Sequence, residues 1–439
     1  MKKEEIINVL SQVNFWGREN IDVGIERKFY NPRILNFLKG VEKVLTIIGV
    51  RRSGKSYILK QIGKKLSEEF GKENVLYVNF EEVKFFEELS LSFLIKIYDA
   101  FKEIVRPKTK PFLILDEIQE VPKWEKFVRS LHEKKEAFLI ISGSSSKLFS
   151  EELATLLAGR ELEIEVFPLD FKEFLQFKNF EIEKEIDLII KKEKIIRFLR
   201  EFLEFGGFPE VVLEENENKK IGIIRKYFDT IVLKDVLRRF KLKESYKLEA
   251  LCNYYVSNFS NLITFNSVAR FLKISEKTTE RFSKYLQIAR IIFFVERFSY
   301  SFKSRYKSAR KVYVIDTSFS NLLGVRFSEN IGRLMENLVA IELLRRAKRS
   351  LKENFFYLKI NDSEVDFVIK EGLEIKQLIQ VTYASSKDEI EKREIKALLK
   401  ASELLKCENL LIITWDYEDE LKIENKSIKC IPLWKWLLV

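Results

Sequence analysis

Residues 49–56, GVRRSGKS, constrain this chain more than any other stretch, because they work only with a strand before them and a helix after them. The spacing is Gly49, then Val50, Arg51, Arg52 and Ser53, then Gly54, Lys55 and Ser56. Upstream, KVLTII at 43–48 is β-branched and aliphatic. Downstream, Ile58, Leu59, Ile62 and Leu66 recur at helical spacing, and Gly71 is placed to end the helix. Strand, tight loop and helix in that order aim backbone N–H groups and the positive helix end at one point, where a polyphosphate is stabilised. This predicts that 49–57, through Tyr57, line an ATP site. Lys55 would reach the β- and γ-phosphates and the Ser56 hydroxyl would hold Mg²⁺.

A second motif supports the first. FLILDE at 112–117 is an apolar strand ending in Asp116 and Glu117, about 60 residues on, as an intervening βα unit requires. Asp116 suits the Mg²⁺ shell, and Glu117 suits orientation or deprotonation of an attacking water.

Composition narrows the alternatives. In 439 residues, hydrophobic side chains make up 46% and charged ones 33%, which fits two or three folded domains and not a disordered chain. No apolar run is long enough to span a bilayer, and MKKEEIINVL reads as a charged amphipathic helix, so a soluble, cytoplasmic protein without a membrane partner is expected. Cys252, Cys407 and Cys430 show no paired spacing, which argues against a disulfide framework or zinc site. A single histidine, His132, argues against a histidine metal site or a Ser-His-Asp triad. Many Lys and Glu with only two Met give a hyperthermophile-like surface, and the net charge of +11 favours an anionic partner such as nucleic acid.

Strands are predicted at 44–48, 75–80, 112–116, 138–142 and 162–167, alternating with helical patterns, which gives an α/β domain with a parallel sheet. The fourth strand runs into SGSSS at 142–146, and Arg160 lies in LLAGRELEIEV before the fifth. Arg160 either stabilises transition-state charge, in cis or across a subunit interface, or pairs at the surface.

GVRRSGKS, FLILDEIQEVPKWE, ISGSSS, LAGR and VFPLDFKEFL together resemble the AAA-type ATPases of archaea and bacteria that carry a restriction-endonuclease-like C-terminal domain. The resemblance covers nearly the whole chain. It implies that Ser144 senses the γ-phosphate; the alternative is a serine-rich loop or helix cap. GGFPEVV at 206–212 is similar to the GxP motif of the related STAND signalling ATPases, implying that Pro209 approaches the adenine from a helical lid. The alternative is a plain Gly-Pro turn between helices.

Further on, 245–258, 265–272 and 276–289 read as three helices, followed by IIFFVERFSY, the basic segment KSRYKSARK and KVYVI. Three helices and a hairpin suggest a winged helix. Lys277, Thr278, Arg281 and Lys284 would then face a DNA major groove, and Lys303, Arg305, Lys307, Arg310 and Lys311 would form a phosphate-contacting wing. A solvated basic loop is the plainer reading.

From about residue 325 a helix around Glu336 is followed by FFYLKI, SEVDFVIK, EIKQLIQVTY, helices at about 387–405, NLLIITW and a last short strand. The order resembles the restriction-endonuclease-like core, which implies Glu336 and Asp366 as metal-binding acids. The slot for its Glu-x-Lys holds Gln380-Val381-Thr382, so one acid is an amide and the lysine is absent. Glu374-Ile375-Lys376 spells the motif but falls toward the far end of the strand. Arg393 and Lys376 are the candidate replacement cations. A degenerate nuclease is expected.

The reading is a P-loop ATPase domain (1–178), a helical lid (179–242), a winged-helix domain (243–322) and a restriction-endonuclease-like domain (323–439). The expected activity is Mg²⁺-dependent ATP hydrolysis coupled to DNA, with a homo-oligomer or protein partner left open. Two alternatives remain: a STAND-like regulatory switch that binds a protein, and an ATP-gated nuclease.

Overall fold

The computed structural model describes residues 1–40, 43–143, 161–240, 242, 244–323, 331–350, 353–423 and 425–438. The chain divides into two compact units, Met1–Val166 and Phe167–Val439.

The first unit is built on strands β1 (Val44–Gly49), β2 (Val75–Asn79), β3 (Phe112–Asp116), β4 (Phe138–Ser142) and β5 (Glu161–Val166). They lie in the order β2-β3-β4-β1-β5, every neighbouring pair parallel. A parallel sheet covered on both faces needs continuously apolar strands, and β1 and β3 are buried along their whole lengths. One face packs on Ile58, Leu59, Ile62 and Leu66 of helix Lys55–Phe70, the four positions expected from their spacing. The other face packs on Phe93, Leu94 and Ile97 of helix Leu91–Ala100 and on Trp124, Phe127, Val128 and Leu131 of helix Trp124–Glu133. Each Leu or Ile so buried contributes roughly 1.5–3 kcal/mol relative to exposure. Ile6 and Leu10 of the N-terminal helix Lys3–Ser11 join this second core.

The second unit opens with helices over Phe171–Phe177, Glu185–Ile190, Lys192–Phe205, Pro209–Leu213 and Glu217–Thr230. Helices Ser245–Ser257, Phe265–Leu272 and Glu276–Ile288 follow, with a small antiparallel sheet of β6 (Leu262–Ile263), β7 (Ile292–Val295) and β8 (Arg310–Val314), ordered β6-β8-β7. The three helices fall where their periodicity placed them, and a short helix, Phe302–Lys307, sits within the basic connection between β7 and β8.

The C-terminal sheet comprises β9 (Glu353–Ile360), β10 (Ser363–Glu371), β11 (Glu374–Val381), β12 (Leu410–Thr414), β13 (Asp419–Ile423) and β14 (Lys426–Pro432), ordered β13-β14-β12-β11-β10-β9. Helix Lys392–Leu405 packs on it through Ala397, Leu398 and Ala401. Where a single last strand was expected, a hairpin, β13 and β14, and helix Leu433–Leu438 are found. Cys252, Cys407 and Cys430 are free and buried. Among the described residues no helix is long and apolar enough to cross a membrane.

GGFPEVV is bound tightly inside the second unit. The Gly207 N–H donates to Asp316 Oδ2 at 2.8 Å, and the Gly207 carbonyl accepts from the Leu169 N–H at 2.7 Å. Pro209 starts its helix, where a missing N–H costs nothing. Asp316 is buried and also accepts from the Ser318 N–H and hydroxyl. Burial pushes its carboxyl up to about 6, against the pull of those hydrogen bonds. A carboxyl raised in the folded state binds protons more tightly there than in the unfolded chain. Its contribution is therefore complete below the unfolded value near ~4 and is lost as pH rises through about 6. Relative to Asp316→Asn, the wild-type chain should lose roughly 2–3 kcal/mol of stability between pH 4.5 and 7. Denaturant titrations of both proteins at the two pH values measure this, and a pH-independent difference would contradict it.

Candidate functional site

The loop at 49–56 connects β1 to helix Lys55–Phe70 with no room to spare. A Cβ on Gly49 would lie 2.1 Å from the Val166 carbonyl oxygen, so only glycine lets the end of β1 pass β5. Gly54, at φ 95°, caps the helix in the left-handed region, and Arg52 is also left-handed at φ 69°. Successive turns of this kind direct backbone N–H groups inward and form an anion-binding concavity. Lys55 is buried, and its Nζ donates to the carbonyls of Gly49 and Val50 at 3.2 Å each, across the mouth of its own loop. The Ser53 hydroxyl is buried within the loop without a hydrogen-bond partner. Arg27, itself buried, holds the loop from behind by donating to the Ser53 carbonyl at 2.9 Å.

Asp116 and Glu117 end β3 beside this loop. Asp116 is fully buried and accepts from the Tyr77 hydroxyl at 2.9 Å and from the hydroxyls of Ser142 and Ser56. Burial and the neighbouring Glu117 charge raise its carboxyl above the ordinary range, opposed by those three hydroxyls. Ser56 and Asp116, the two oxygen donors predicted for Mg²⁺, are thus in direct contact, and both are the hard ligands that ion prefers. Glu117 adopts a left-handed backbone (φ 54°), a strain of about 1–3 kcal/mol of the kind concentrated at functional sites. Its N–H donates to the Ser142 hydroxyl at 3.3 Å, and its carboxylate accepts from Gln119. Arg51 pairs with Glu81 at 3.3 Å, and Tyr57 is exposed beside Gly24.

The sequence pointed to Ser144 after β4, and Ser144 and Arg160 lie outside the described residues. Within them, Ser142 is the β4 residue that joins Asp116 to Glu117. Tyr77, Gln119 and Arg27 were also not foreseen. A polar residue closing an otherwise apolar strand, as in FLIIS, was the available signal for Ser142.

The second unit holds a different polar cleft of about 770 Å³, whose lining includes Glu336, Glu364, Asp366, Gln380 and Glu394. Register pairs Phe367 with Ile379 and Glu371 with Glu374, so Gln380 lies at the Asp366 end of the hairpin and Glu374 at the far end, as expected. Lys376 pairs there with Glu374 at 2.8 Å, and Arg393 is exposed and pairs with Glu391, so neither stands in for the missing lysine at Asp366. Lys311 does. It was expected in a DNA-contacting wing, but it is 2% exposed, and its Nζ lies 2.9 Å from Glu336, 2.7 Å from Glu364 and 2.9 Å from Asp366. The reason is strand packing: β8 is buried on both faces from Lys311 to Val314, and Lys311 shares the side of the strand that carries Tyr313, whose hydroxyl also meets Glu336. Burial opposes its charge, but Asp366, Glu336 and Glu364 outweigh that and hold the ammonium above the usual lysine range. Glu336 is pushed up to about 7 by burial, against the pull of Lys311. Glu394 is likewise raised to about 7 by burial and by Asp366. The Gln380 Oε1 and Glu394 Oε2 atoms are buried without hydrogen-bond partners.

On the helix predicted to read DNA, Lys277, Arg281 and Lys284 are exposed and share one face, while Thr278 is half-buried. Lys307 is exposed, but Arg305 pairs with Glu296 at 3.2 Å and Arg310 is half-buried over the Phe265 ring.

A phosphate-binding loop and an Asp-Glu strand end on a five-stranded parallel sheet define a P-loop ATPase fold, and residues 41–175 match the model of the AAA domain. Residues 196–329 and 331–436 match two domains of unknown function, DUF8612 and DUF4143. The chain belongs to the family of "Uncharacterized protein MJ1544" of Methanocaldococcus jannaschii, with 39% identity over 432 residues covering 96% of this chain and 93% of that protein. A protein of Haemophilus influenzae is 29% identical over 425 residues, 94% of this chain and 98% of its own. Among solved structures, the Walker-type ATPase PABY2304 of Pyrococcus abyssi superposes with a TM-score of 0.43 at 14% identity, over 70% of this chain and 97% of that one.

Proposed function

We propose that this protein hydrolyses ATP with Mg²⁺ and couples that cycle to DNA. The observation that carries the ATPase reading is the joint contact of Ser56, Ser142 and Tyr77 with Asp116, directly beside a strained Glu117. In this reading the loop N–H groups bind the phosphates, and Lys55 leaves the Gly49 and Val50 carbonyls to meet the β- and γ-phosphates. Ser56 and Asp116 would hold Mg²⁺, which would neutralise phosphate charge when bound. Glu117 orients the attacking water and accepts its proton, released for that purpose by Gln119. Ser144 and Arg160 are assigned γ-phosphate sensing and charge stabilisation on sequence grounds.

What supports the DNA half is the basic helix face of Lys277, Arg281 and Lys284 together with the +11 net charge. The ATPase rate should rise when double-stranded DNA is added. Replacing the three residues with Ala should weaken DNA binding and shrink the slope of log affinity against log salt by about 3, at ~0.9 per lost phosphate contact. Unchanged affinity and slope would remove DNA from the reading and leave the ATPase.

A further inference from the structure

The fold family that the sequence resembles would place a divalent metal between Glu336 and Asp366. The side chains present do not fit one. Three carboxylates converge on a single nitrogen: Lys311 Nζ lies within 2.9 Å of Glu336 Oε1, Glu364 Oε1 and Asp366 Oδ1. Two of them have a further donor, since the Tyr313 hydroxyl donates to Glu336 Oε1 at 2.6 Å and the Val381 N–H to Asp366 Oδ2 at 3.0 Å.

A metal at the point of convergence would have to occupy the space of the ammonium and meet its positive charge at contact distance. Without those three carboxylates, the buried oxygens left without partners in the cleft are Glu394 Oε2 and Gln380 Oε1, one carboxylate and one amide. The other lining carboxylates are Asp362 and Glu391, of which Glu391 pairs with Arg393, whereas a hard divalent ion takes six or more oxygens and favours charged ones. Among the described residues, no group of three or more His, Cys, Asp or Glu side chains is arranged to hold a metal ion.

We infer that Lys311, delivered by β8 from the neighbouring small sheet, is a built-in cation that takes the place of the divalent metal in the C-terminal cleft. The lysine contributes what the metal would contribute to structure: it gathers carboxylates from helix Ile331–Ser350 and from β10 around one positive centre, and it does so without an exchangeable ion. It does not supply Lewis acidity or an activated water. The cleft in this chain is therefore a metal-independent module, and Gln380 and Thr382 are consistent with a site from which metal chemistry has been removed. This inference stands apart from the ATPase reading, because every residue in it belongs to the second unit.

The test is Mn²⁺ binding to the full-length, nucleotide-free protein, followed by electron paramagnetic resonance. The number of bound Mn²⁺ ions should be the same in wild type, Asp366→Asn and Glu336→Gln. Lys311→Met, which vacates the centre and leaves the carboxylates unpaired, should gain one ion at least about tenfold tighter than wild type binds any ion in this cleft. Adding Asp366→Asn to that variant should abolish the gain. Mn²⁺ should also raise the melting temperature of Lys311→Met more than that of wild type. A wild-type Mn²⁺ site that disappears in Asp366→Asn or Glu336→Gln would overturn the inference and restore a metal centre. Folded Lys311→Met that gains no ion would overturn it too, reducing Lys311 to a packing residue. If Lys311→Met does not fold, the comparison of wild type with the two carboxylate variants decides alone.

Discussion

Glu117→Gln should lower the turnover of ATP by about 10²–10⁴-fold, the usual contribution of a general base, while ATP still binds. The amide keeps the size of the side chain and its contact with Gln119, so the left-handed turn at φ 54° and the Asp116 network beneath it should survive. What is lost is the capacity to accept the proton of the attacking water. Steady-state phosphate release gives the rate, and a fluorescent ATP analogue gives the affinity. Loss of binding together with turnover would instead make Glu117 a structural residue of the β3 end.

The second large effect is in the helical region of the second unit. Gly206→Ala should destabilise that unit by roughly 3 kcal/mol. Gly206 sits at φ 73°, ψ −164°, a region essentially closed to other residues, at a cost of about 1–3 kcal/mol. A Cβ there would also lie 1.7 Å from Asp316 Oδ1, so the carboxylate would have to leave its hydrogen bonds to Gly207 and Ser318. The two costs are separable. In an Asp316→Ala background the collision partner is gone but the backbone strain remains, so Gly206→Ala should cost at least about 1 kcal/mol less there. Equal costs in both backgrounds, by denaturant titration, would show that the strain acts alone.

Much of the proposed nucleotide site was legible because it is local. An octet, two flanking periodicities and an Asp-Glu strand end fix the geometry of Lys55, Ser56, Asp116 and Glu117, since strand, loop and helix are consecutive. Tyr77 and Ser142 were not legible, because their contacts with Asp116 depend on which strands neighbour β3, and strand order is a property of the whole sheet. The sharper miss was Lys311. Within KSRYKSARK it reads as one more exposed cation, yet β8 is buried on both faces from Lys311 onward and sets it among carboxylates 25, 53 and 55 residues away in sequence. Pairing at that separation leaves no periodic trace. The same applies to Asp316, whose partner Gly207 is 109 residues upstream.

The central claim is that the residues gathered at Asp116 hydrolyse ATP, and phosphate release by the full-length protein with ATP and Mg²⁺ at elevated temperature, measured beside Glu117→Gln under the same conditions, tests it most directly. The account predicts steady turnover by the wild-type chain and a rate at least about 100-fold lower for the variant. Equal rates in the two proteins, or no release by a wild-type chain that binds ATP, would contradict it.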